Sequence, residues 1–205
     1  MFTAVAAISM MQALSAEPPS APGGIVSIAF SFNGSRSDDA VAGMESEMAI
    51  LLTGTNVHLQ WFERQKDSGL YVDGRILVVN IRGDCQTTER GRLESGEALA
   101  WNDVTDGHFQ PFVTVDCARV ARFVARELRG SDRQETDRLV GRAIARVIAH
   151  EMYHFFTRTK RHSRSSVLFR AALQPQDLVS EGVRFETEEI EKLEQGIEKP
   201  ADCED

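Results

Sequence analysis

The chain has only three cysteines among its 205 residues, and no two of them form a C-x-x-C pair. A structural zinc of the finger type, which needs clustered thiolates, is therefore not supported. Basic charge is also scarce: 23 lysines and arginines face 31 aspartates and glutamates, a formal net charge of −8. Nucleic-acid binding needs a positive field to neutralise phosphates, so no nucleic-acid partner is expected. No apolar run is long enough to span a bilayer, no stretch repeats, and no segment is of low complexity. What is present is an ordinary globular composition, 42% hydrophobic and 26% charged, in a chain long enough for one domain with a sizeable core.

Residues 2–16, FTAVAAISMMQALSA, carry no charge and end in small residues, as a secretory signal peptide cleaved near Ser15 or Ala16 would. The usual lysine or arginine ahead of the apolar stretch is missing, and an N-terminal core helix is the alternative. AEPPSAPGG reads as a linker. The expected organisation is a signal peptide over 1–16, a linker over 17–23, a folded domain over 24–198 and an acidic tail over 199–205. A secreted or periplasmic location follows from that reading. Cys85 follows the apolar run ILVVNIRGD and Cys117 ends PFVTVD, so a Cys85–Cys117 disulfide is expected, with two buried free thiols as the alternative. Cys203 is left over.

Hydrophobic periodicity divides the rest of the chain. GIVSIAFSF (24–32) and RILVVNIRG (75–83) read as buried strands, and VHLQWFERQ (57–65) alternates as a strand. Between the first and the alternating strand, Val41, Met44, Met48 and Leu51 recur at helical spacing, with Asp38 or Asp39 available as a cap. EALAWNDV and HFQPFVTVD, separated by TDG, can pair as a hairpin or lie in one sheet. From Cys117 the pattern is helical: one helix ends at Gly130, and a second, capped by Ser131 or Asp132, runs to about Thr157. A loop follows, then a last amphipathic helix over Val183–Leu193. The order is β-α-β-β-(β-β)-α-α-loop-α, an α+β domain with a mixed sheet packed on helices.

The segment that carries chemistry is TDRLVGRAIARVIAHEMYHFF. Leu139, Ala143, Ile144, Val147, Ile148 and Phe155 form an apolar stripe suited to a core-facing helix. His150 and His154 are four residues apart, so they differ by only about 40° around the axis and sit one turn apart. Both lie at the edge of the apolar arc, where two imidazoles can offer a nitrogen each to one zinc ion. Glu151 projects in a neighbouring direction and can reach a water on the metal without ligating it. At the frequencies of histidine and glutamate in this chain, H-E-x-x-H arises by chance roughly once in a hundred such chains.

HEMYH on such a helix resembles the active-site helix of the zincin metallopeptidases. The resemblance implies His150 and His154 as zinc ligands, Glu151 as general base, and a zinc endopeptidase hydrolysing peptide or protein substrates. The β-α-β-β order ahead of the helix is similar to the N-terminal half of that fold, and ALAWNDV resembles the edge strand lining the cleft in the metzincin branch. In that branch, which includes the matrixins, the pattern HExxHxxGxxH supplies the third ligand. Here His162 comes two residues later than the pattern requires, Thr157 replaces the glycine, and Leu168 is the nearest apolar substitute for the methionine of the methionine turn. Glu181, by similarity to the gluzincin branch, is the alternative third ligand. The missing glycine and methionine also leave room for a zinc-binding module without turnover. His58 and His108 read as ordinary strand or turn residues.

Overall fold

Four strands rich in β-branched and aromatic residues align in parallel: β1 (Ile25–Asn33), β2 (His58–Glu63), β3 (Arg75–Arg82) and β5 (His108–Asp116). A fifth, β4 (Ala100–Thr105), runs antiparallel to β5, and the sheet order is β2-β1-β3-β5-β4. A two-residue turn, Asp106-Gly107, joins β4 to β5. Both residues have positive φ, 51° and 84°, which matches the twist of a tight hairpin and requires residues tolerant of the left-handed region. The computed structural model describes residues 24–64, 66, 74–86, 97–163 and 166–199. The expected signal peptide, the linker, Cys203 and all of the acidic tail but Lys199 lie outside these residues.

Helices α1 (Asp38–Leu51), α2 (Cys117–Val124), α3 (Arg133–Thr157), α4 (Pro175–Val179) and α5 (Thr187–Glu198) complete an α+β arrangement in the expected order. Alternate residues of the strands (Val26, Ile28, Phe30, Leu77, Val79, Ile81, Val113, Val115) share one core with Met44, Met48 and Leu51 of α1 and Ile144, Ile148 and Met152 of α3. The 3.6-residue and two-residue periods thus meet at one interface. Among the described residues no helix is long and apolar enough to cross a membrane.

Several local expectations are corrected. Ser37, not Asp38 or Asp39, caps α1, its hydroxyl accepting from Ala40 N at 3.1 Å. The two aspartates instead occupy the first turn, where they complement the helix dipole. Asp132 caps α3 as expected, accepting from Glu135 N at 2.9 Å. The stripe expected on α3 is too narrow: every residue from Ala143 to His150 is buried, whereas Leu139 and Phe155 are half-exposed. α1, α2, α4, α5 and the sheet all pack against this helix, so more than one stripe of it is covered. α2 ends at Val124, and a run of turns carries the chain on to Gly130. Pro175, at the first position of a helix, opens the short α4 inside the expected loop. α5 begins at Thr187 rather than Val183, because Glu189 Oε2 accepts from Glu186 N at 2.8 Å in a capping box while Val183 and Phe185 are buried ahead of it.

Two features fix α3 against its neighbours. Gly43 of α1 and Gly141 of α3 face the other helix so closely that a Cβ on either would strike its backbone. Farther along, the buried Arg146 donates to Glu47 Oε1 at 2.8 Å, to Asp177 O at 2.9 Å and to Ser180 O at 2.7 Å, and Arg142 Nε lies 3.2 Å from Glu47 Oε2. This network ties α1 and α4 to α3 one turn before His150, and a buried charge is tolerated there because it is fully partnered.

Cys85, just after β3, and Cys117, at the start of α2, form a disulfide. The bond closes a loop with a sequence separation of 32 residues, worth about 3–4 kcal/mol through the entropy of the unfolded chain. A Cys85→Ala/Cys117→Ala variant is therefore expected to unfold at clearly lower urea than the parent. Equal midpoints under oxidising conditions would show that the cross-link contributes nothing.

Candidate metal centre

His150 and His154 stand in the last two turns of α3, both buried. His150 Nδ1 lies 2.8 Å from the carbonyl oxygen of Leu168, and His154 Nδ1 lies 2.6 Å from that of Thr159. A carbonyl only accepts, so each Nδ1 carries the ring proton and donates it. Each Nε2 is then left with a lone pair, and the two Nε2 atoms face one another at 3.0 Å. With neutral rings neither has a proton to share. A cation between them resolves that opposition.

His162 completes the group. Its ring centroid lies 5.3 Å from that of His150 and 4.9 Å from that of His154, and one donor atom from each of the three lies within 4.8 Å of the others. His162 is exposed, so the cluster is buried on two sides and open on the third. These three residues could hold a metal ion. Two nitrogens about 2.0–2.1 Å from one ion stand about 3.0–3.4 Å apart at angles of about 95–110°, which the observed pair satisfies. An all-imidazole donor set suits zinc, copper, iron or nickel rather than calcium or magnesium.

The loop that brings His162 back explains how the site forms without the glycine at 157. The left-handed turn falls one residue later, at Arg158 (φ 51°, ψ 32°), for which a non-glycine residue gives up about 1–2 kcal/mol. Thr157 stays helical, its hydroxyl donating to Tyr153 O at 2.6 Å. Beyond His162, Ser163 N donates to Phe169 O at 2.8 Å, pinning the returning chain. Leu168 is fully buried and serves the site through its carbonyl on His150, while Phe169 packs its ring 5.8 Å from that of His150. The structure brings His150, His154 and His162 together and leaves Glu181 outside, exposed in the turn after α4. His58 and His108 are exposed strand residues away from the cluster.

Glu151 faces the edge strand. Asn102 of β4 donates through Nδ2 to Glu151 Oε2 at 2.6 Å and to Glu151 O at 2.9 Å, while Asn102 Oδ1 is buried and has no partner among the described residues. Burial pushes the Glu151 carboxyl up to about 7, against the opposing effect of the Asn102 bonds. Burial lowers His150 to about 4 and moves His154 in the same direction, so burial favours the neutral form of both rings, the form that can coordinate a cation. In the metal-free protein these groups act oppositely on stability. Because His150 binds its proton more weakly folded than unfolded, it removes stability as pH falls from about 6.5 to about 4. Glu151 binds its proton more tightly folded, and so removes stability as pH rises from about 4.5 to about 7.

A cavity of about 470 Å³ adjoins His150, Glu151 and His162 and is walled by Leu99, Ala100, Phe123, Val147, Ala172 and Leu173, among others. A larger one, about 680 Å³, lies beyond His162 against Tyr153 and α5, and neither His150 nor Glu151 lines it. Tyr153 stacks on Phe169 with ring centroids 4.1 Å apart, and its ring lies 6.4 Å from that of His154. The resemblance of ALAWNDV to a cleft-lining edge strand reaches Asn102 only as part of that strand, and no residue pattern points to Phe169 or to Phe109, whose ring lies nearly parallel to that of His154 at 6.3 Å. Asn102 is 49 residues from Glu151, and only the hairpin pairing of β4 with β5 carries it there.

The chain matches no known protein family, no curated protein and no solved structure.

Proposed function

We propose that this protein is a zinc-dependent metalloendopeptidase of zincin-like fold, with His150, His154 and His162 as metal ligands and Glu151 as general base. The observation that carries the reading is the pair of Nε2 lone pairs 3.0 Å apart, with a half-buried carboxylate on the adjacent residue and an open cleft in front. Three imidazoles with an exposed fourth side are the donor pattern of a hydrolytic rather than a structural zinc. When bound, zinc would supply Lewis acidity towards a carbonyl oxygen and towards a water.

The chain's own residues supply the remaining steps. Among the described residues β4 has no partner on its outer side in the sheet order, so an extended peptide can pair with it and lie across the histidine cluster. The cavity walled by Leu99, Ala100 and Phe123 accepts an apolar side chain and so sets the register of the bond to be cut. Glu151, held by Asn102 Nδ2, takes the proton of the attacking water on a carboxylate oxygen and passes it to the leaving amine. The Glu181 alternative is not needed, since His162 already stands within reach. Charge-free residues 2–16 and the disulfide support an exported, oxidising location.

Zinc-loaded protein is expected to cleave an unfolded substrate such as carboxymethylated casein. A chelator should stop the cleavage, and added zinc should restore it. Stoichiometric zinc with no cleavage would instead establish a metal-binding module without turnover.

A further inference from the structure

The metal-site loop is basic in a chain of net charge −8: Arg158, Lys160 and Arg161 fall within four residues, all exposed. Their surroundings differ. Arg158 and Arg161 line the cavity that also holds Glu186, Glu188 and Glu189, so acidic groups stand near them. Lys160 does not line that cavity, and among the described residues it has no carboxylate partner. Its ammonium instead sits over the ring of Phe109, 5.9 Å from the centroid. Phe109 in turn lies nearly parallel to the His154 ring, at 7° and 6.3 Å. An unpaired cation is thus held beside a ligand of the metal, where it opposes a dication and gains only the weak attraction of an aromatic face.

The sheet gives this cation a place along the cleft. Phe109 pairs with Val104, at the far end of β4, whereas the apolar cavity lies at Leu99 and Ala100, where β4 begins. A peptide adding to an edge strand gains most in antiparallel register. Its N-terminal half then runs past Val104 and Phe109, and its C-terminal half past the apolar cavity. Lys160 therefore faces the residues ahead of the bond to be cut.

Resting on the peptidase reading, we propose that Lys160 is a specificity residue selecting peptides with an aspartate or glutamate on the N-terminal side of the scissile bond. An exposed ion pair of up to about 1 kcal/mol corresponds to a preference of about five-fold.

The test uses the full-length, zinc-loaded protein and pairs of peptides that differ only by Asp or Asn at each of the three positions before the cleaved bond. The ratio of kcat/KM for the two members of a pair does not depend on how much of a sample is active, and zinc content is measured for every variant. Wild type is expected to favour Asp by up to about five-fold at one of these positions, less at high salt. Lys160→Gln should bring the ratio to about one, Lys160→Glu should invert it, and Lys160→Arg should keep it. Cleavage without an acidic preference, or a preference that survives in Lys160→Gln, would overturn this proposal and leave the peptidase reading standing. No cleavage of any peptide by zinc-loaded wild type would overturn both.

Discussion

Replacing Glu151 by Gln is expected to leave zinc binding near the wild-type level and to lower peptide hydrolysis by about 10²–10⁴-fold, the usual contribution of a positioned general base. Gln keeps the shape of Glu and can still accept from Asn102 Nδ2, which reaches the carboxylate at 2.6 Å. It cannot take a proton from water. The same substitution has a second readout that needs no substrate. In the metal-free protein the wild-type carboxyl, raised to about 7, must ionise in a half-buried site as pH rises, and Gln removes that cost. The variant should therefore gain on wild type between about pH 4.5 and 7 and stay ahead above it, by up to about 3 kcal/mol. Denaturant unfolding at pH 5 and pH 8 checks this. An equal gain at both would show that the carboxylate is not destabilised where it stands, and retained hydrolysis would remove Glu151 from the mechanism.

Zinc should stabilise the folded protein strongly, and His154→Ala should abolish the effect. A ligand at a thousand times its dissociation constant adds about 4 kcal/mol, which for a domain of this size raises Tm by on the order of 10 °C. His154 is the right residue to remove because its Nδ1 is already held by Thr159 O, so its Nε2 is presented without further rearrangement. His162→Ala should keep part of the shift, since the two helical histidines remain in place. The shift should persist at pH 6, because burial lowers His150 to about 4 and moves His154 in the same direction, which weakens the competition of protons for both rings. Thermal melts with and without zinc measure all of this. A wild-type melt insensitive to zinc, or a full shift retained in His154→Ala, contradicts it.

Much of this site was legible because helix geometry is local. The spacing of His150 and His154, the cap at Asp132 and the buried strands all follow from residue type at fixed intervals. The disulfide was legible too, because both cysteines close strand-like runs that end on the same side of the sheet. What escaped depends on contacts distant in sequence. The burial of Glu47 follows from Arg146, 99 residues away, and the role of Asn102 follows from a hairpin that brings β4 alongside α3. The buried surface of α3 is wider than its apolar stripe predicts, because one helix's pattern does not reveal how many neighbours surround it. The start of α5 was misplaced because Val183 and Phe185 fit an apolar helical face, yet the capping box at Glu186 and Glu189 sets the first turn later. The missing glycine argued against a return of the chain to His162, but a left-handed Arg158 makes that turn.

The proposed activity depends on the three imidazoles sharing one ion. The most direct measurement is the zinc content of protein equilibrated with zinc and then freed of loosely bound metal by dialysis, for wild type, His154→Ala, His162→Ala and Glu181→Ala. The geometry predicts one zinc per chain in wild type and Glu181→Ala, almost none in His154→Ala, and a reduced content in His162→Ala. No zinc in wild type would contradict the account, and so would full zinc in His162→Ala accompanied by its loss in Glu181→Ala.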